Sequence, residues 1–418
     1  MRALYEFMMA GARAQARWEC ELARTVFRDR RRLFLLLLLV LPVLVPALAQ
    51  AAELPKVLGG GKAYFPTHYT TEAFWGSTLV GLCAGLITGC IGAGGGFIIT
   101  PFLMSFGVRG ILAAGTDQFH IFAKAIMGTI IHRKLGNVNV ALAVAFVVGS
   151  VAGATVGGTL NRWVYAKNPV LSDAFISTIY AVVLGFLGFY SLWDYFKLRR
   201  TGAAVDAHGG GVTEATTRFA KGLQSIKLPP MIRFDEDIVP GGRRISAWFV
   251  MVVGFVVGVF AAILGVGGGF ITFPAFVYGL GVSSFTTVGT DILQIIFTAG
   301  YGSIVQYAIY GYVFYTLAIG LLLGSLIGIQ VGSLATKVVK GAHIRGFFAT
   351  VILAGFVNRA AALPGLYGKL GYVQLTERVG AVINTIGTVV FFALVLVFAL
   401  WVFLSFFRNL RVLREEVV

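Results

Sequence analysis

The feature that most limits the fold is a succession of apolar runs. Blocks at 33–49, 74–91, 97–106, 111–131, 140–164, 175–196, 248–264, 270–280, 285–309, 313–334, 344–363 and 379–407 are separated by short polar joints. An α-helix needs about 20 apolar residues to cross a hydrocarbon core of about 30 Å. The alternating strands of about 10 residues that build a membrane β-barrel are missing. Of 418 residues only 12% are charged and 57% are apolar, against about 25% and 45–50% in a soluble domain. Too little polar surface exists to cover a globule, so the chain reads as an all-α, polytopic transmembrane helical bundle.

The two halves of the chain repeat each other. GAGGGFIITP at 92–101 aligns with GVGGGFITFP at 265–274, and Gly115-Thr116-Asp117 aligns with Gly289-Thr290-Asp291. Further on, Gly149-Ser150, Gly153 and Val156-Gly157 match Gly324-Ser325, Gly328 and Val331-Gly332. Three blocks in one order at nearly constant offset mark a duplication. The runs at 97–106 and 270–280 would rise only about 15 Å as helices, so each is expected to return the chain toward the face it came from. Residues 197–244 hold glycine, proline and mixed charge and read as a solvent linker. The expected divisions are an amino-terminal region with an anchor-like helix and periplasmic loop (1–73), a first repeat (74–197), a cytoplasmic linker (198–244), a second repeat (245–363) and an extra span with a basic tail (364–418).

Basic residues orient the spans. With the arginines at 30–32 held inside, 25 Lys and Arg fall in inside loops, 8 (among them Arg109, Arg162 and Arg359) in outside loops, and Lys124 within a span, which obeys the positive-inside rule. Equivalent loops of the halves then face opposite sides, the inverted-topology plan of many secondary transporters. The expectation is a multi-pass protein of the bacterial inner membrane with both termini and the linker cytoplasmic. Arg30 to Arg32, the apolar core from Leu33 and Ala47-Leu48-Ala49 outline a signal peptide. The long stretch before that core favours a retained anchor helix. The net charge of +16 lies beside apolar blocks, where it orients the chain, and nucleic acid is not an expected partner. Cys20, Cys83 and Cys90 give no disulfide framework.

The glycine runs are where chemistry is expected. Each interrupts an apolar segment, and a helix restarting there directs unpaired N–H groups and about half a positive charge at whatever lies in front of it. Irregular backbone at membrane depth is tolerated only where protein or a water-lined cavity satisfies it. Two such breaks at equivalent positions mark a binding site built from Gly94, Gly95, Gly96, Phe97, Gly267, Gly268, Gly269 and Phe270, with Thr116 and Thr290 beside it. Close helix packing is the competing explanation. The following segment carries Asp117, His120 and Lys124 at i, i+3 and i+7, and its repeat carries Asp291, Gln294 and Thr298 at the same spacing. These positions share a helix face. Ionisable groups within a membrane line pathways or pair with one another, which makes Lys124 the counter-charge to an anion, His120 and Gln294 its neighbours, and Asp117, Asp291 or His120 the proton carriers. A protonated carboxyl would bind the anion better than an ionised one, a linkage that couples the two. Glycines at four-residue spacing elsewhere read as helix-packing stripes. The histidines have no metal-ligand spacing, and neither a catalytic constellation nor a nucleotide-binding motif is present. No cofactor, no metal and no enzymatic activity are expected.

The doubled G-x-G-G-G-F-x-x-x-P, the G-T-D after it and the later G-S-x-x-G-x-x-V-G resemble the sulfite exporter TauE/SafE family over about 74–193 and 248–363. The resemblance implies secondary transport of small sulfur-containing anions such as sulfite, sulfoacetate or other organosulfonates; protons as the coupling ion are the expectation from the aspartate stripe, and membrane lipid surrounds the bundle. The chain departs from the family in its anchor-like helix, its extra span at 379–407 and its aspartates at 117 and 291, where a small polar residue is usual. An anion channel, or a carrier of a different small organic anion, is the alternative. The oligomeric state is open, a homodimer included.

Overall fold

The computed structural model describes residues 71–91, 95–134, 138–201, 217–236, 241–338 and 341–408. The anchor-like segment, the loop before residue 71, Gly94 and the tail beyond 408 lie outside them. The first half consists of α1 (Thr71–Ile91), the short α2 (Gly96–Ser105), α3 (Gly110–Lys134), α4 (Val140–Lys167) and α5 (Pro169–Thr201). Between the halves come α6 (Arg218–Ser225), β1 (Met231–Phe234) and β2 (Arg243–Ser246). The second half repeats the order with α7 (Ala247–Leu264), α8 (Gly269–Pro274), α9 (Ser284–Tyr301), α10 (Tyr315–Val338) and α11 (Gly341–Lys369), and α12 (Glu377–Arg408) follows. A π turn over Ala275–Leu280 prolongs α8, and another over Gly302–Tyr307 prolongs α9. Among the described residues, 8 helices are long and apolar enough to cross a membrane. The 25-residue α3 is not one of them, because Asp117, Gln118, His120 and Lys124 lower its apolarity.

Start and stop signals explain these boundaries. Asn139 caps α4 by accepting the Leu142 amide at 3.0 Å, and Ser283 caps α9 by accepting the Thr286 amide at 3.2 Å, as short polar side chains do at helix starts. The breaks rest on glycine in the left-handed region. Gly265 ends α7 at φ 76°, and Gly95 and Gly268 precede α2 and α8 at φ 70° and 92°, conformations that any Cβ disfavours.

The halves interlock by exchange. Helix α1 of the first half packs along α10 of the second, and α7 of the second packs along α4 of the first. Glycines let the backbones touch. Gly324, Gly328 and Gly332 face the carbonyls of Thr78, Leu82 and Leu86, while Gly149, Gly153 and Gly157 face those of Met251, Phe255 and Val259. The four-residue stripes are therefore packing surfaces, as their spacing predicts.

Contacts at the bundle ends establish that the repeats are inverted. The joint after α2 carries Arg109, which pairs with Asp173 at the start of α5 at 3.0 Å. At that same end Arg162 donates to the Gln306 carbonyl at 2.7 Å and lies over the Tyr310 ring. The equivalent joint after α8 lies at the other end, where Arg243 donates to the Gly281 carbonyl at 2.7 Å and Asn139 donates to the Arg233 carbonyl at 2.9 Å. Equivalent joints at opposite ends are what inversion requires.

Two expectations need correction. The linker is not simply solvated chain, since α6 and an antiparallel β1–β2 hairpin fold from it. Ile232, Phe234 and Ile245 alternate inward and join a core with Val250, Phe276 and Leu280, and this short period is obscured by the surrounding glycines and prolines. The hairpin also holds α9, for Asp235 accepts the Ser283 amide at 2.9 Å and the hydroxyls of Ser283 and Thr286 at 2.6 Å each. The second correction concerns Arg359. It belongs to no loop but lies buried inside α11, bonded to Asn358 and, at 3.0 Å, to Ser105 Oγ.

Candidate functional site at the helix breaks

The two breaks meet in the interior. The Phe97 and Phe270 rings stand 5.8 Å apart between centroids. A Cβ placed on Gly96 would lie 3.1 Å from the Val266 Cα of the other break. What satisfies the broken backbone differs between its two sides. At the end of α7, three successive carbonyls, those of Ala262, Ile263 and Leu264, accept from Tyr307 Oη, Asn161 Nδ2 and Tyr180 Oη respectively. The starts of α2 and α8 have no side-chain cap. At the second break the carbonyls are thus closed off by protein, while the first amides of both restarting helices are left uncapped by any side chain.

The polar stripe faces these starts. Asp117 Oδ2 accepts from Thr100 Oγ1 at 3.0 Å and would lie 3.2 Å from a Cβ on Gly96. Its Oδ1 stands 3.7 Å from His120 Nδ1, and both of these buried atoms lack a hydrogen-bond partner. His120 Nε2 lies 2.9 Å from Ser325 Oγ. Lys124 Nζ donates to Thr88 Oγ1 at 3.1 Å, and Thr88 borders Gly95, where a Cβ would come within 2.9 Å of that same oxygen. The ammonium is therefore anchored beside the first break. A salt bridge between Asp117 and Lys124 is not formed, in keeping with two helical turns of separation.

The second half copies this geometry with Gln294 and Thr298 in place of His120 and Lys124. Asp291 Oδ2 would lie 3.2 Å from a Cβ on Gly269, and its Oδ1 accepts from Gln294 Nε2 at 2.7 Å. Thr298 donates to Gln294 Oε1 at 2.8 Å and shares a 2.6 Å hydrogen bond with Ser150. Ser325 and Ser150 are repeat equivalents, so each stripe reaches the serine of the opposite half, through His120 in the first and Thr298 in the second. The sequence aligns the two serines between the repeats, beside the glycine stripes, but assigns them no role. A hydroxyl kept in both copies of a glycine stripe is the signal that sets them apart.

Other candidates fall differently. The Thr116 hydroxyl accepts the Phe314 amide at 2.9 Å, and the Thr290 hydroxyl accepts the Asn139 amide at 3.0 Å. Each threonine thus ties the G-T-D segment to the start of a helix in the opposite half. Gly267 packs on Ile121, and Gly94 lies outside the described residues. Among the described residues no group of three or more His, Cys, Asp or Glu is arranged to hold a metal ion.

Inverted repeats, paired helix breaks at their meeting point and ionisable side chains beside them define a polytopic membrane transporter. The chain belongs to the sulfite exporter TauE/SafE family, whose pattern matches residues 77–359. It is 24% identical over 276 residues to the Bacillus subtilis (strain 168) protein named "Probable membrane transporter protein YjnA", a match covering 66% of this chain and 95% of that relative. No solved structure matches the chain.

Proposed function

We propose that the chain is a secondary transporter of small sulfur-containing anions, sulfite or organosulfonates such as sulfoacetate, held between the two breaks and moved with protons across a bacterial inner membrane. The observation that carries this reading is the contrast at the second break, where the carbonyls ending α7 are satisfied by Tyr307, Asn161 and Tyr180 while the amides starting α8, like those starting α2, are uncapped by side chains. Two helix starts offer about one unit of positive charge, and Lys124 adds another. Ionised Asp117 and Asp291 would compete with an anion for those starts. When protonated they leave the starts to the anion, so proton and anion binding favour each other. A channel would keep such groups wetted along an open path, whereas Asp117, His120 and Gln294 have no exposed surface. Their burial favours a carrier.

Binding tests the site. Purified protein is to be titrated with sulfite, thiosulfate, sulfoacetate, taurine and carboxylate analogues. Substituting Gly95 would confuse the answer, because its Cβ would strike the Ala84 carbonyl at 2.7 Å. Gly269→Ala is the clean probe, since its methyl would meet only Ile295 Cδ1 at 3.1 Å and Asp291 Oδ2 at 3.2 Å. The expected result is a sulfonate or sulfite affinity reduced on the order of tenfold with a loss of stability of no more than about 1 kcal/mol. Parental affinity in that variant would reduce the cradle to a packing joint.

The orientation in the membrane is a separate expectation. The end that carries α6 and the hairpin faces the cytoplasm, and the α11–α12 joint faces out. Cysteines at Lys221 and Tyr372, both exposed, are to be labelled with an impermeant thiol reagent on cells whose outer membrane is permeable. Labelling at 372 with protection at 221 is expected, and the reverse would invert the topology.

A further inference from the structure

We infer that α6 and the segment after it form a docking surface for anionic phospholipid headgroups, seated on the leaflet from which α7 leaves the bilayer. One side of α6 is already engaged, since Ala220 is buried and Gln224 donates to the Leu280 carbonyl at 2.7 Å. The other side is apolar where water would not favour it. Phe219 is 67% exposed and Ile226, seven residues on, is 49% exposed, with Leu228 at 47%. Ile226 caps the end of α6 in an extended conformation and Leu228 lies beyond it, so the apolar tips run from the helix into the segment after it. Arg218 precedes Phe219, Lys221 lies two residues after it, and Lys227 stands between Ile226 and Leu228, all of them exposed. Arg233 and Arg244 on the hairpin are exposed as well, against one exposed carboxylate at Glu236 among residues 217–236 and 241–246. Exposed apolar tips interleaved with cations are the composition that partitions into the boundary between headgroups and acyl chains.

The membrane is chosen as occupant because this patch runs into surface that already faces lipid. Trp248 Nε1 donates to the Pro229 carbonyl at 3.1 Å, which fixes the 226–230 segment against the first turn of α7. On α7 the exposed side chains Trp248, Val252, Phe255 and Val256 follow at i, i+4, i+7 and i+8, the lipid-facing stripe of a membrane span. The patch therefore sits where that stripe ends, at headgroup level, and a half-exposed tryptophan there suits the interfacial belt. Its positive charge selects anionic over zwitterionic lipid. Through Asp235 and its bonds to Ser283 and Thr286 the same linker holds the start of α9, so the lipid surface steadies an element of the transport core. The assignment does not depend on which anion is carried.

The test uses the full-length protein in nanodiscs of phosphatidylcholine alone or with added phosphatidylglycerol. A nitroxide on Ile226→Cys should collide with oxygen and be shielded from a water-soluble nickel chelate, and the shielding should deepen when phosphatidylglycerol is present. The triple variant Arg218→Gln, Lys221→Gln, Lys227→Gln changes only exposed side chains. It should retain at least about tenfold less phosphatidylglycerol in competition with phosphatidylcholine. A label as open to nickel as one on exposed Tyr372, shielding that is the same in both bilayers, or a triple variant that retains phosphatidylglycerol as the parent does, would each overturn the inference.

Discussion

Gly324→Val is expected to leave no folded protein to purify. Even a single Cβ at this position would enter the Thr78 carbonyl and lie 2.6 Å from the Leu82 amide nitrogen, and both obstacles are backbone of a helix that cannot turn aside. Valine adds two methyl groups beyond that. Separating α1 from α10 far enough to admit them would also loosen Gly328 from Leu82 and Gly332 from Leu86, so the whole contact is lost together. Overpacking of this kind costs about 1–3 kcal/mol where side chains can give and more where they cannot. Gly149→Val, against the Met251 carbonyl, should behave alike because it is the repeat equivalent. Gly222→Ala, with nothing within 4 Å of its added Cβ, should purify as the parent does. The measurement is monodisperse yield and thermal unfolding in detergent. Parental yield and melting temperature for Gly324→Val would contradict the interlocked pairing of the halves.

Lys124→Gln is expected to abolish high-affinity anion binding while the protein remains folded. The ammonium is buried and held by Thr88 at the first break, and its equivalent position in the second half is the neutral Thr298. No other lysine lies on either stripe. Removing one partner of a buried charge interaction costs about 2–5 kcal/mol, so affinity should fall on the order of a hundredfold or more. Glutamine keeps a donor for Thr88, which preserves the local hydrogen bond. Calorimetric titration with the anion chosen by the binding screen is the check, and an affinity within a fewfold of the parent would remove Lys124 from the site.

What could be read in the sequence was whatever depends on spacing along one helix. The stripe of Asp117, His120 and Lys124 and its copy at Asp291, Gln294 and Thr298 follow from 3.6 residues per turn, and the two breaks follow from glycine inside apolar runs. Partners supplied by other helices were not legible. Nothing in the spacing tells that Ser325 meets His120 or that Ser150 meets Thr298, because that requires knowing that α10 and α4 are exchanged between the halves. The closing of Ala262, Ile263 and Leu264 by Tyr307, Asn161 and Tyr180 is hidden for the same reason. Arg359 escaped because a single cation at the end of an apolar run looks like the start of a loop. Only the fold reveals that α11 continues to Lys369 and carries the guanidinium inside.

Uptake of radiolabelled sulfite or sulfoacetate into proteoliposomes under an imposed pH gradient tests the carrier reading most directly. The parent should accumulate the anion only while the gradient lasts. Asp117→Asn should still exchange internal for external anion, since the neutral amide leaves the helix start to the substrate, yet lose accumulation because no proton is carried. A parent whose uptake ignores the gradient and merely equilibrates the anion would contradict proton coupling and make the chain a passive anion pathway.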